Sequence, residues 1–147
     1  MILEMFDPVI YPYKIWIVIN KTPECLSEYF YEYSGKPIQF EDSNETNRME
    51  AFCMQVKGKV TSQYGTVIYF RNKKNMDYDI IAHEASHAAK QLFEHINADM
   101  SDHEPFEYLV GWIAKCCGIV KHSKEFKAYL NPDTATSNNK KMVYIKA

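Results

Sequence analysis

Apolar and polar positions alternate along the chain in a way that separates strands from helices. Pro8 and Pro12 break residues 1–13, which are expected to be irregular. Lys14 to Asn20 is β-branched and apolar on both faces, the pattern of a central strand. Thr22 as N-cap and Pro23 at the first helical position predict a helix running to about Tyr33 and stopping near Gly35-Lys36-Pro37. Residues 41–50 are polar and loop-like. Ala51–Lys57 and Thr66–Phe70 read as strands, joined through Gly58–Gly65 as an antiparallel hairpin. After the polar turn Arg71–Asn75, the run Met76–Phe93 has no Gly or Pro, is rich in Ala, and opens with Asp77 and Asp79, all signs of a helix. Its apolar stripe is Ile81, Ala85, Ala88, Ala89 and Leu92.

Ser101 or Asp102 is expected to cap a further helix with Pro105 in its first turn. That helix has an apolar face through Phe106, Leu109, Val110 and Ile113, and a stop near Cys117-Gly118. His122–Leu130 fits a short helix, Asn131–Lys141 a polar mobile segment, and Met142–Ile145 a strand or ordered tail. The expected class is α+β in one domain over residues 1–147, a small, mostly antiparallel sheet packed on two helices.

Composition narrows the function. With a net charge of −2 and no basic stripe, phosphate-driven nucleic-acid binding has no support. The longest apolar run, Ile15–Ile19, is too short to span a bilayer, and the N-terminus lacks the basic and hydrophobic regions of a signal peptide. A cytoplasmic location is expected, without membrane partners. The four cysteines, Cys25, Cys53, Cys116 and Cys117, show no CxxC spacing and read as buried or half-buried free thiols.

The chemistry sits in His83-Glu84-Ala85-Ser86-His87, an HExxH pattern inside a helix. Positions four apart share a helix face, so two imidazoles can reach one metal ion. Glu84 projects about 100° round from His83 and can reach a metal-activated water without being a ligand. Two histidines on zinc with Glu84 as general base form the zincin arrangement. A third ligand is needed. A third His six residues after His87 would mark a metzincin, but that position is Phe93. His95 is displaced in axis and angle. A thermolysin-type site takes a Glu from the next helix, and Glu104 and Glu107 are available. The face through Glu104 continues to Tyr108 and Gly111; a glycine there is expected to let the two helices approach closely, which favours Glu104. His103, Tyr108 and His122 are candidates to face an oxyanion.

Ile80–Ala88 followed by His103-Glu104-Pro105-Phe106-Glu107-Tyr108-Leu109-Val110-Gly111 resembles small HExxH proteins of the gluzincin type from phages, prophages and gut bacteria, in which a segment of the form E-P-x-A-Y-L-x-G follows the zinc helix. The likeness covers roughly residues 60–115 and extends more distantly to the ImmA/IrrE group of intracellular zinc peptidases. It implies Zn²⁺ held by His83, His87 and Glu104, and a zincin-like fold. It also implies hydrolysis of a peptide or protein substrate with Glu84 as base, in a bacterial or phage-infected cell. At position 107, where relatives often carry Ala, this chain has Glu. In zincin-like folds the strand ahead of the zinc helix is an edge to which substrate adds, here Thr66–Phe70. The alternative is a non-catalytic protein in which zinc only pins two helices.

Overall fold

In a computed structural model the described residues are 1–40, 48–101, 103–123 and 144–146. They form an α+β fold with one mixed sheet. The strands are β1 (Ile2–Asp7), β2 (Lys14–Ile19), β3 (Phe30–Glu32), β4 (Ala51–Gly58), β5 (Tyr64–Phe70) and β6 (Tyr144–Lys146). The helices are α1 (Leu26–Tyr29), α2 (Tyr78–His95) and α3 (His103–His122). The sheet order is β3-β4-β5-β2-β1-β6. The pairs β1–β2, β3–β4 and β4–β5 are antiparallel, whereas β2–β5 and β1–β6 are parallel.

β2 lies between β1 and β5, and five of its six residues are buried, as its two-sided apolar pattern predicts. The hairpin β4–β5 forms in the expected antiparallel sense, with Ala51 opposite Phe70 and Lys57 opposite Tyr64. Gly65 is required where β5 passes β2, because an added Cβ would collide with the Lys14 carbonyl and the Trp16 ring.

Two stretches fold differently from the expectation. Residues 1–13 are not irregular throughout, because Ile2–Asp7 is a strand pairing with β2. Pro8 only ends it, and the turn to β2 bends through Val9 at φ 57°. The helix expected from Thr22 to Tyr33 is shorter. A 3₁₀ turn at Pro23–Cys25 leads into α1, and at Phe30 the chain becomes β3. The aromatics Phe30 and Tyr31 favour an extended backbone, and Phe30 gains burial against Trp16 at a ring separation of 5.0 Å.

The sheet has a core on each face. On one side Trp16, Val18, Leu26, Phe30, Val56, Val67 and Tyr69 cluster under α1. On the other, α2 and α3 cover Ile15, Ile17, Ile68 and Phe70. The whole expected stripe of α2, from Ile81 to Leu92, is buried there. α3 packs antiparallel to α2: Phe106 near its start meets the Phe93 ring at 5.5 Å, and Lys121 near its end donates to the Met76 carbonyl at 2.5 Å. α3 does not stop at Gly118. Cys116, Cys117 and Val120 keep its apolar face buried, and Lys73 donates to the Ser123 carbonyl just past its end. The expected cap Asp102, the segments 41–47 and 124–130, and Asn131–Lys141 lie outside the described residues. Of the expected C-terminal strand, Tyr144–Lys146 pairs with β1. Among the described residues no helix is long and apolar enough to cross a membrane.

Candidate metal centre

α2 turns its His face away from its own core stripe. Ala82, His83, Ser86, His87 and Lys90 are exposed, while Ile81, Ala85, Ala88, Ala89 and Leu92 are buried. The two imidazoles converge, with Nε2 of His83 and Nε2 of His87 3.0 Å apart and the rings nearly perpendicular at 76°. Two nitrogens held at the usual zinc distance in a tetrahedral site lie about 3.3 Å apart, so the pair fits one shared ion.

Glu84 is on the core side of this pair and only 6 % exposed. Its backbone carbonyl accepts a hydrogen bond from the Cys53 thiol of β4 at 3.1 Å. Burial, then the neighbouring Glu84 charge, pushes the Cys53 thiol well above its ordinary range, and the same causes push Cys117 up to about 12. These thiols are therefore protonated near neutral pH and behave as packing groups. All four cysteines are free, as expected.

Two shallow grooves meet at His83. One is lined by Glu50, Ala51, Asp79, Ile80, His83 and Glu84, the other by Ala82, His83, Ser86, His87, Lys90 and Phe106. Glu50, Phe106 and Cys53 carry no motif, and only their place against α2 reveals them; Lys90 lies on α2 itself, three residues after His87.

The expected third ligand is not drawn up to the pair. Among the described residues no group of three His, Cys, Asp or Glu side chains is arranged to hold a metal ion. Glu104 and Glu107 are both exposed on the first turns of α3. Gly111 does not bring the two helices together as expected, because it is exposed and a Cβ added there would meet nothing within 4 Å, so it gives Glu104 no preference. α3 instead packs through Leu109, Ile113 and Cys117. Phe106 is the α3 side chain that reaches the grooves, and Glu107 lies about 60° nearer to its azimuth than Glu104 does. His103 and Tyr108 are exposed on α3, and His122 is exposed at its far end. None of these three lines either groove.

β5 is not an edge strand, since β4 and β2 flank it. Among the described residues β4 has an unpaired edge. β3 covers only Val56–Gly58, so among the described residues Ala51–Gln55 has no partner on that side. This stretch lies alongside the site.

The far end of α2 is pinned by a polar network. Tyr13 Oη and Thr66 Oγ1 share a hydrogen bond at 2.8 Å, Thr66 Oγ1 donates to Gln91 Oε1 at 2.8 Å, and Gln55 Nε2 donates to the Gln91 carbonyl at 3.2 Å. Burial raises the Tyr13 phenol to about 12. His95 is held there, away from the His83–His87 pair, its Nδ1 bonded to Tyr33 Oη at 2.8 Å.

Comparison with known proteins found no matching family model, curated protein or solved structure.

Proposed function

We propose that the chain is a zinc-dependent peptidase of the gluzincin kind, in a zincin-like fold. The observation that supports it most is the convergence of His83 and His87 to 3.0 Å on one helix face, with buried Glu84 between them in sequence. In this reading His83 and His87 would hold Zn²⁺ together with one carboxylate from the start of α3. Glu104 is the donor that the resemblance implies, and Glu107 is the donor nearer the Phe106 azimuth. Bound zinc supplies Lewis acidity, polarising a carbonyl and making water a nucleophile near neutral pH.

The chain's own residues do the rest. Glu84 takes a proton from the attacking water and hands it to the departing amine, a transfer that its partly dry position favours. The free edge at Ala51–Gln55 offers backbone donors and acceptors to an extended peptide, holding a scissile bond beside Glu84. The acidic lining of one groove and the absence of a basic stripe point to peptide, not nucleic acid, as substrate.

Glu84→Gln tests the reading. The variant is expected to keep about one zinc per chain and the wild-type fold while losing peptidase activity by at least about a hundredfold. Retained zinc with unaltered activity, or zinc binding without any activity in the wild type, would leave a structural role for the metal.

A further inference from the structure

The two grooves that meet at His83 carry opposite charge. Glu50, Asp79 and the buried Glu84 line the first, of about 440 Å³, and Lys90 is the charged side chain lining the second, of about 470 Å³. Each has room for a long side chain. Phe106 adds an apolar wall to the Lys90 groove, against which a methylene stem can lie.

β4 and α2 run side by side in the same direction. Ala51 shares a groove with Ile80 and Glu84, Cys53 bonds the Glu84 carbonyl, and Gln55 bonds the Gln91 carbonyl. A peptide added along the free edge therefore travels along α2, past the acidic groove, the histidine pair and then Lys90. Asp79 and Lys90 are eleven positions apart on α2. That is about 16 Å along the axis, or about five residues of extended chain, with the histidine pair near the middle.

Resting on the peptidase reading, we propose that the cleft selects peptides with a basic side chain on one side of the scissile bond and an acidic side chain on the other. The two lie about five residues apart. Glu50 and Asp79 receive the basic group and Lys90 the acidic one. The same polarity disfavours like-charged segments.

The test uses the full chain stripped of metal with a chelator, so that binding is read without cleavage. Fluorescently labelled decapeptides carry Lys and Glu five residues apart in either order, two Lys, two Glu, or neither. Anisotropy is expected to show one Lys/Glu order binding about tenfold tighter than the neutral and like-charged peptides, an advantage that shrinks with added salt. Asp79→Asn with Glu50→Gln should remove the advantage of the Lys alone, and Lys90→Gln that of the Glu alone. All three side chains are exposed, so these variants keep the fold. Binding indifferent to charge, or charge preference untouched by these substitutions, overturns the proposal. Charge-ranked binding with no cleavage by the zinc-loaded protein keeps the selectivity and removes the peptidase reading. Cleavage without charge ranking does the reverse.

Discussion

α2 carries three histidines in two opposite settings. His83 and His87 are exposed, and each has the other as its hydrogen-bond neighbour. His95, two and three turns further on, is half-buried among Tyr13, Tyr33 and Tyr64, with ring separations of 4.9, 5.8 and 5.5 Å. The residue type is the same, but its free valences are not. Around His95 the protein itself satisfies the ring, through Tyr33 Oη and the aromatic faces. At the HExxH end, among the described residues, the ring nitrogens face each other and open grooves, which leaves their lone pairs available to a ligand. One end of α2 is an anchor and the other is a tool held out by it.

Removing the tool should leave the anchor intact. His83→Ala with His87→Ala is expected to take bound zinc from about one per chain to essentially none. Apo-state stability should change by less than about 0.5 kcal/mol, because both side chains are exposed. Metal analysis and denaturant unfolding check both halves.

Weakening the anchor should do the opposite. Thr66→Val removes the hydroxyl that joins Tyr13 to Gln91, taking the donor from Gln91 Oε1 and leaving Tyr13 Oη only the 3.4 Å bond from Gln55. It is expected to cost about 1–3 kcal/mol in urea unfolding. The zinc affinity of the folded fraction should stay close to wild type. A loss of zinc equal to that of the double histidine variant would break the division between the two ends.

Glu4 sharpens the contrast from β1, on the same face of the sheet as α2. It is 4 % exposed on β1, and burial lifts its carboxyl from 4.5 to about 7. The native state therefore favours the protonated form. The stability this gives is fully present below about pH 4.5 and is lost as pH rises through about 7. Glu4→Gln should be more stable than wild type at pH 8 by about 3 kcal/mol and nearly equal at pH 4. A difference that does not vary with pH would contradict the assignment. The smallest effect belongs to His95→Phe, which keeps the ring packing but loses the Tyr33 bond, at about 1 kcal/mol or less with zinc unchanged.

Much of this was legible in the residues. The helical period from Ile81 to Leu92 put α2 and its buried stripe in place, and the HExxH spacing put two imidazoles on one face. The hairpin β4–β5 followed from alternation and its glycines. What escaped was set by distant partners. β1 looked irregular because prolines dominate its neighbourhood, and pairing with β2 outweighs them. Phe30 left the helix for a strand because Trp16, far off in sequence, offers it a packing partner. Gly118 failed to stop α3 because buried Val120 extends the apolar face beyond it. At the site, Gly111 suggested close helix packing, but a glycine in an exposed position carries no such information. Glu50 and Phe106 gave no local signal, since only the course of β4 and α3 brings them to the histidines, whereas Lys90 follows from its helix spacing to His87.

The most direct test of the central claim is X-ray absorption at the zinc edge on the zinc-loaded protein, compared with Glu104→Ala and Glu107→Ala. The account predicts one ion with two imidazole nitrogens at about 2.0–2.1 Å and oxygen donors besides, the carboxylate contribution disappearing in one of the two variants. A wild-type protein that binds no zinc, or a spectrum with sulfur or a single imidazole in the first shell, would contradict it.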